Sequence, residues 1–302
     1  MRFGFLADGS LGAPALAFLA SSGRLGGVAW GPSDPACRDW AAQLCGGAGI
    51  PFRPVASRAD LEPWLELAQP DLAFAFGCPW KLPPEVLTRP RLGWVNLHGG
   101  PLPAYRGPQP VFWQIRNGER TSALVAHRMD AGLDTGPVLA VQAIPIAPRT
   151  THGGLTQLLS HAAPALLQLL LQSLDSQGES FLDRATEQGE GRVWPRPGPA
   201  DVRIDWIGRD AAQILDLIRA CNPWNSGAWT TLQGQLCRVV EADLTTAPTG
   251  PPGIVQLVPA DGLAVCCRDG AALRLDILRL EEGFVTGAGL RALGVGVGAR
   301  FE

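Results

Sequence analysis

The first half of the chain alternates short apolar runs with longer segments that carry helix signals. Four runs have the length of a strand: 2–7, 26–30, 71–76 and 92–97. Between them lie candidate helices, among them 13–23 and 39–49, each of which ends at a glycine. Strands that alternate with helices connect as crossovers, which makes the strands parallel and covers the sheet with helices. The sequence therefore predicts an α/β fold with a mostly parallel sheet.

The pattern changes from residue 121. The runs TSALVAHRM (121–129) and GPVLAVQAIPI (136–146) alternate apolar and polar residues and predict an antiparallel pair. An apolar segment at 154–174 predicts a helix. Residues 187–201 are rich in Pro and Gly and predict a linker, beyond which one helix and several short strands are typical of a small β-barrel.

The composition is that of a globular chain, with 46% apolar and 18% charged residues. No uninterrupted apolar run reaches the ~18 residues of a membrane span, and the first twelve residues lack the layout of a signal peptide. We therefore expect a cytoplasmic protein that does not enter a membrane. Seven Cys without a C-x-x-C pair predict reduced thiols and no structural metal. No feature of the sequence indicates an oligomeric state.

Asn96 and His98 stand at the end of the fourth predicted strand, in VNLHGGPLPAYRG (95–107). Side chains two residues apart leave the same face of a strand, and polar groups buried there cost free energy unless they find partners. A hydrogen-bonded strand end and a functional site are both open readings. The loop that follows favours a site, because Gly99 and Gly100 allow a ligand close to the main chain and three prolines stiffen it.

A second polar segment, HRMDAGLDTGPVLA (127–140), follows the first antiparallel strand. Its Asp and Gly residues fit an ordinary turn, because Asp bonds its own backbone and Gly adopts positive φ. The alternative is that Asp134 lies opposite His98, where a carboxylate favours the protonated imidazole near neutral pH. His127 alternates with apolar neighbours and is expected to be structural or to line the edge of a cleft.

These two segments, with NGE at 117–119 between them, resemble the catalytic core of the folate-dependent formyltransferases in order and spacing. The wider match is to the methionyl-tRNA formyltransferases. It includes residues 1–23 and 74–99 in the first half, and VRIDW (202–206) and IRACNPW (218–224) near the end. The resemblance implies a Rossmann-like formyltransferase domain, 1–186, a linker, 187–201, and an OB-like β-barrel domain, 202–302.

The resemblance implies that Asn96, His98 and Asp134 are catalytic. The formyl donor would be 10-formyltetrahydrofolate and the acceptor an amine, with no metal. An attacking amine turns the formyl carbonyl into an oxyanion, to which the Asn96 amide and a protonated His98 can donate hydrogen bonds. Asp134 would hold His98 charged and help to move the proton of the amine.

The resemblance also implies where the pterin ring of the folate binds. The site would be the loop after the third predicted strand, together with the main chain just before Asp134: Gly77, Cys78, Pro79, Trp80, Leu82, Gly132 and Leu133. Trp80 fits this pocket and the apolar core equally well.

Two departures from the resemblance concern the acceptor. Methionyl-tRNA formyltransferases carry a Lys- and Arg-rich loop after the second strand, whereas residues 30–40 hold one Arg and no Lys. Residues 201–302 hold nine Arg against twelve Asp and Glu, so the region is net negative. Phosphate binding needs clustered cations, which disfavours tRNA. The second departure is Gly99-Gly100-Pro101, where the family more often has a Ser-Leu-Leu type sequence.

Three functions therefore remain open from the sequence. The first is N-formylation of a small-molecule or carrier-linked amine. The second is formylation of methionyl-tRNA by an atypical member. The third is a hydrolase that passes the formyl group to water, or a folate-binding protein without catalysis.

Overall fold

A seven-stranded sheet organises the first half of the chain. The computed structural model describes residues 1–246, 250–258 and 262–302, and the chain divides into two units. The first unit comprises Met1–Pro110, Thr121–Pro145 and Thr156–Pro195, and the second comprises Val111–Arg120, Ile146–Leu155 and Arg196–Glu302. Residues 187–195 of the predicted linker thus belong to the first unit.

The sheet of the first unit has the strand order β3-β2-β1-β4-β5-β6-β7. Strands β1 to β5 pair in parallel, whereas β6 pairs antiparallel with both β5 and β7. The predicted mostly parallel sheet and the antiparallel pair at 121–146 are confirmed. The strands are β1 (Phe3–Ala7), β2 (Leu25–Trp30), β3 (Phe52–Pro54), β4 (Leu72–Phe76), β5 (Trp94–His98), β6 (Thr121–Arg128) and β7 (Val138–Pro145).

Helices connect the parallel strands, as their spacing predicts. One start signal is clear: Asp34 accepts a hydrogen bond from the Cys37 N–H, and Pro35 occupies the first helical position of α2. The α-helices of the described residues are α1 (Ala13–Ser21), α2 (Pro35–Gly47), α3 (Leu61–Ala68), α4 (Pro84–Leu87), α5 (Pro110–Arg116), α6 (His152–Gln177), α7 (Ala211–Ala220) and α8 (Gly287–Ala292).

The core of the first unit lies on both faces of β1 and β4, whose residues are all buried. Burial on both faces explains why these strands read as continuous apolar runs. The Trp64 and Trp94 rings lie 5.9 Å apart in one buried cluster with Leu82, and Trp80 packs against the edge of that cluster. The core therefore reaches the loop that follows β4.

One helical stretch, His152–Arg184, is long and apolar enough to cross a membrane by length and composition alone. Half of its most apolar window is buried inside the protein. The core helix of a globular protein has the same properties, so this stretch is weak evidence for a membrane span.

The second unit contains a six-stranded antiparallel sheet in the order β10-β11-β12-β9-β8, with β13 also paired to β12. Isolated bridges from Leu232 to Phe301 and from Ile254 to Arg300 tie the chain end to both flanks, which is consistent with a small barrel. The predicted separate C-terminal β-domain is confirmed. Its strands are β8 (Ala228–Leu232), β9 (Gln235–Thr245), β10 (Val255–Val258), β11 (Gly262–Cys266), β12 (Ala272–Leu280) and β13 (Gly283–Thr286).

Candidate active site

The end of β5 presents two polar side chains on one face of the sheet. Asn96 is half-buried and His98 is 5% exposed, in a strand whose other residues are apolar. Asn96 lies directly opposite His127 of β6 in the antiparallel register. Facing residues of an antiparallel pair project to the same side, so Asn96, His98 and His127 share one surface.

Asp134 approaches that surface from the loop between β6 and β7. Its backbone is left-handed, with φ at 55°, a conformation that Asp tolerates better than most residues do. The Gly107 N–H donates to the Asp134 Oδ2 at 2.9 Å. Gly107 itself has φ at 116°, so glycine is required there for the loop after β5 to reach this carboxylate.

The three residues predicted to be catalytic converge. The Asp134 Oδ2 lies 3.6 Å from the His98 Nδ1, and the Asp134 Oδ1 accepts a hydrogen bond of 3.4 Å from the Asn96 Nδ2. The other ring nitrogen of His98, Nε2, lies 2.7 Å from the Tyr105 carbonyl oxygen. A carbonyl oxygen only accepts, so the His98 Nε2 carries a hydrogen and Nδ1 faces the carboxylate.

Burial governs the charge of His98. Burial lowers the pKa of His98, and the nearby His127 lowers it further, while Asp134 and the Tyr105 carbonyl oppose this shift without reversing it. The expectation that Asp134 holds His98 protonated near neutral pH is wrong for the free protein, because desolvation of the imidazolium outweighs one neighbouring carboxylate. In the neutral ring, Nδ1 is a bare acceptor.

Asp134 remains ionised. Burial alone would raise its pKa, but the neighbouring His98 and His127 and the Gly107 N–H together lower the pKa of Asp134 to about 2. A neutral His98 gives the carboxylate less support than a charged one. The Gly107 N–H is a donor at any pH, so the downward direction does not depend on His98 alone.

His127 belongs to this cluster, although sequence reasoning placed it among structural or cleft-edge residues. It is 2% exposed, and its Nε2 lies 3.1 Å from the Asn96 Nδ2 and 3.6 Å from the Asp134 Oδ1. The signal that could have revealed it is the β5–β6 register. The register that sets Asn96 opposite His127 cannot be read from the sequence, because residues 99–120, including α5, separate the two strands.

The loop predicted to hold the pterin ring, from Gly77 to Leu82, follows the carboxyl end of β4. Leu82 is 2% exposed and lies in the buried cluster with Trp64 and Trp94. Gly77, at the start of the loop, has φ at 73°, a conformation that favours glycine. Because glycine has no side chain, it leaves room for a flat heterocycle such as a pterin to approach the main chain at the end of β4.

Cys78 of the same loop is electrostatically coupled to the cluster. Burial raises the pKa of Cys78 to about 11, and the charges of Asp8 and Asp134 act in the same direction. Its thiol donates to the Trp80 carbonyl oxygen. The loop and Asp134 are therefore close enough to interact, with Cys78 kept as a neutral thiol.

The remaining predicted folate residues take ordinary positions around the loop. Pro79 is exposed, and Trp80 is half-buried and packs against the core cluster. On the Asp134 side, the Gly132 N–H donates to the Asp130 carboxylate, as does the Thr135 hydroxyl, in a tight turn. Leu133 is 37% exposed beside Asp134. Within the part of the chain that the structure describes, no group of three or more His, Cys, Asp or Glu side chains is arranged so that it could hold a metal ion.

Gln188 and Arg106 are functional candidates that the sequence did not reveal. The Gln188 Nε2 donates to the carbonyl oxygens of Asp134 and Gly136 at 3.0 and 2.6 Å. Its Oε1 accepts from the Arg106 Nε and Nη2 at 3.1 and 2.9 Å. One half-buried amide thus joins the loop after β5 to the loop that carries Asp134.

The stretch 187–195 is bound to the loop after β5 along its length. The Arg106 N–H donates to the Arg192 carbonyl oxygen, and the Trp194 N–H donates to the Arg106 carbonyl oxygen. The Tyr105 and Trp194 rings stack at 5.7 Å, and the Arg192 guanidinium lies 3.6 Å from the Trp194 ring. This stretch therefore packs against Tyr105, whose carbonyl oxygen is the hydrogen-bond partner of the His98 imidazole.

Solved structures with a similar fold include proteins in complex with folates. HypX from Aquifex aeolicus in complex with tetrahydrofolic acid is 21% identical, with a TM-score of 0.67 over 97% of this chain and 47% of that one. The chain thus spans about half the length of HypX. The N-formyltransferase from Helicobacter canadensis, in complex with folinic acid and dTDP-3-aminofucose, is 16% identical, with a TM-score of 0.70 over 91% of this chain and 98% of that one.

Sequence comparison gives the family directly. Residues 43–171 match the formyl transferase family and residues 198–288 match the formyl transferase C-terminal domain. Methionyl-tRNA formyltransferase from Ectopseudomonas mendocina is 34% identical over 80% of this chain and 76% of the relative. The methionyl-tRNA formyltransferase from Pseudomonas entomophila is 37% identical over 78% of this chain and 74% of that relative. The chain therefore belongs to the formyl transferase family.

Proposed function

We propose that the protein transfers the formyl group of 10-formyltetrahydrofolate to a primary amine of a small or carrier-linked acceptor, in the cytoplasm. The observation that carries the proposal is the convergence of Asn96, His98 and Asp134 at the end of β5. The loop from Gly77 to Leu82, which is predicted to hold the pterin ring, lies close enough to Asp134 for Cys78 to feel its charge. The bound donor supplies an activated formyl carbonyl, and the protein supplies the polar groups around it.

Asn96 stabilises the negative charge that develops on the formyl oxygen. Its Nδ2 donates weakly to Asp134, at 3.4 Å, so this N–H can be exchanged for a better acceptor. A donor aimed at developing charge in a site shielded from water contributes ~3 kcal/mol to the stability of a transition state. Asp134 itself cannot take this role, because it is an anion.

His98 receives the proton that the attacking amine loses. The neutral ring presents a bare Nδ1, since its Nε2–H donates to the Tyr105 carbonyl oxygen. Protonation at Nδ1 creates an imidazolium 3.6 Å from the Asp134 carboxylate, which stabilises the ion in a region of low dielectric constant. As the amine nitrogen bonds to the formyl carbon and the bond from that carbon to the folate nitrogen breaks, His98 would return the proton to the leaving nitrogen.

The charge of the chain supports a small or carrier-linked acceptor. The segment 30–40 holds only Arg38 as a cation, and Arg38 lies 3.6 Å from the Asp39 carboxylate. In the second unit, several arginines are already engaged by carboxylates, including Arg149, Arg219, Arg268 and Arg274. Fewer cations thus remain for a polyphosphate, whose binding depends on them.

A second candidate is formylation of methionyl-tRNA. The observation that favours it is 33–37% identity to methionyl-tRNA formyltransferases over about four-fifths of the chain. In this case cations from separate segments would contact the tRNA, and its binding would weaken steeply as salt increases. A binding isotherm at several salt concentrations distinguishes this from a site for an uncharged or small acceptor.

Incubation of the full chain with 10-formyltetrahydrofolate and a panel of amines tests the proposal. The panel includes amino sugars linked to nucleotides, amines on carrier proteins and initiator Met-tRNA, and mass spectrometry detects the formamide. A formamide from a small or carrier-linked amine supports the proposal. Turnover of Met-tRNA alone overturns it in favour of the second candidate. Folate release without amine indicates a hydrolase, and folate binding without turnover indicates a binding protein.

A further inference from the structure

His127 is buried beside the proposed catalytic residues, although nothing in the pairing of its strand calls for a histidine at this position. Its ring lies edge-on to the His98 ring, with centroids 6.3 Å apart. Its Nδ1 lies 2.8 Å from the Arg128 carbonyl oxygen, and its Nε2 lies 3.1 Å from the Asn96 Nδ2. An apolar side chain would fill the same space without the cost of burying two polar nitrogens.

The two contacts of His127 define where its hydrogen lies. The Arg128 carbonyl oxygen only accepts hydrogen bonds, so the His127 Nδ1 must be the donor. In the neutral ring the Nε2 is then a bare acceptor. Its partner must donate, which means that Asn96 turns its NH₂ group toward His127 and its carbonyl oxygen away.

We propose that His127 is a positioning residue that orients the Asn96 amide for formyl transfer. This inference rests on the proposed function. One N–H of Asn96 is held by the His127 Nε2, and the second points toward Asp134 at 3.4 Å. The shorter contact anchors the amide, and the longer one leaves the second N–H free to turn to the formyl oxygen.

Without the His127 acceptor, Asn96 would be oriented by Asp134 alone. A contact of 3.4 Å is long for a hydrogen bond and holds an amide poorly. The Asn96 side chain could then rotate, which would turn its N–H groups away from the position of the oxyanion. The loss would appear in the chemical step and not in folate binding.

Two variants of His127 separate this role from a merely structural one. Glutamine places its Oε1 near the position of the His127 Nε2 and keeps an acceptor for Asn96. Asparagine places a polar group only near the position of the His127 Nδ1, and its side chain is too short to reach Asn96. We expect His127→Asn to lower kcat about tenfold or more, the effect of about one lost hydrogen bond. His127→Gln should stay within about threefold of the parent, and KM for the folate should change little in both.

These rates are measured with 10-formyltetrahydrofolate and the amine that the parent turns over fastest. Binding of 5-formyltetrahydrofolate, which does not transfer its formyl group, reports whether the folate site is intact. Equal values of kcat in the two variants would overturn the proposal. An equal loss of folate affinity in both would do so as well, because the role would then be structural.

A second measurement does not require turnover. The ¹⁵N chemical shifts of the His127 ring report which nitrogen carries the hydrogen, and we expect Nδ1–H with a bare Nε2. A ring protonated at Nε2 would overturn the proposal, since it could not accept from Asn96. If the parent formylates no amine, the proposed function fails, and the tautomer alone decides whether His127 holds Asn96.

Discussion

The Gln188 side chain and the Asp134 main chain are joined by a hydrogen bond of 3.0 Å between residues 54 positions apart. Asp134 has a left-handed backbone, and the same Gln188 amide also donates to the Gly136 carbonyl oxygen. A conformation that a residue rarely adopts persists when its surroundings hold it. Gln188 is therefore part of what places the Asp134 carboxylate beside His98.

We expect Gln188→Leu to lower kcat by about one to two orders of magnitude, because a small displacement of Asp134 separates it from its partners. Leucine fills the space but makes none of the hydrogen bonds of the amide. The measurement is kcat with the amine substrate, together with binding of 5-formyltetrahydrofolate. Glu187 is the exposed neighbour, so Glu187→Ala is the matched control, with parent-like kcat expected. Parent-like kcat for Gln188→Leu would show that the Asp134 loop holds its own conformation.

Substitution of His98 by Asn tests its role as the proton acceptor. Asparagine keeps a polar group near the position of the His98 Nδ1 but has no basic nitrogen that could accept a proton, and we expect a loss of roughly two to four orders of magnitude in kcat. Donor binding should be largely retained, because the predicted pterin residues lie in other loops. Single-turnover rates with the parent substrate measure the loss. Near-normal turnover would remove His98 from the mechanism.

Gly107→Ala should damage both the fold and the site. A Cβ at this position would lie 2.2 Å from the Trp194 carbonyl oxygen, and the φ of 116° is unfavourable for alanine. Backbone strain of this kind costs about 1–3 kcal/mol, and movement of the Gly107 N–H would weaken its bond to Asp134. Thermal unfolding and kcat report the two effects. Gly189→Ala is the control, because a Cβ there meets nothing within 4 Å; a similar fall in Tm for both variants would contradict the argument.

The buried His152 should make the free energy of unfolding fall as the solution becomes mildly acidic. Burial lowers the pKa of His152 from 6.5 to about 4, and its ring stacks on Trp224 at 5.8 Å. A buried neutral His contributes stability above the unfolded pKa of 6.5, and this contribution is lost as pH falls toward 4. The full loss is about 3 kcal/mol.

Chemical denaturation between pH 7 and pH 4 measures this dependence. We expect a shallower loss of unfolding free energy in His152→Phe than in the parent, whereas His161→Gln at an exposed position should follow the parent. Burial also lowers the pKa of His98, so part of the acid sensitivity should remain in the His152 variant. An unchanged slope in His152→Phe would contradict the prediction.

The fold could be predicted because two signals in the sequence, the apolar runs of the strands and the glycines after the helices, indicate the same arrangement. The apolar runs of β1 and β4 are continuous, as strands buried on both faces require, and glycines follow the helices between them. The contacts made by residues 187–195, within the predicted linker, could not be foreseen. Pro and Gly at 187–195 are compatible with a flexible segment, but this stretch makes main-chain and ring contacts with Tyr105 and Arg106, and no local pattern announces them.

The proximity of the candidate site residues could be predicted where they are close in sequence, but not where they lie on different strands. Asn96 and His98 are two positions apart in one strand, so their common face follows from the pleat. His127 needs the register of β5 against β6, and a shift by one residue would turn it to the other side of the sheet. The charge of His98 could not be foreseen either, because it depends on burial that the sequence does not report.

The division of the chain into units bears on how such proteins can be recombined. Residues 111–120 and 146–155 belong to the second unit although the first surrounds them in sequence. In a chimaera made at a single junction near residue 196, residues 111–120 and 146–155 would come from one parent and the rest of the second unit from the other. Exchange of the second unit between relatives would require replacement of three segments through five junctions, and libraries built on one crossover point would mostly combine segments of one unit from different parents.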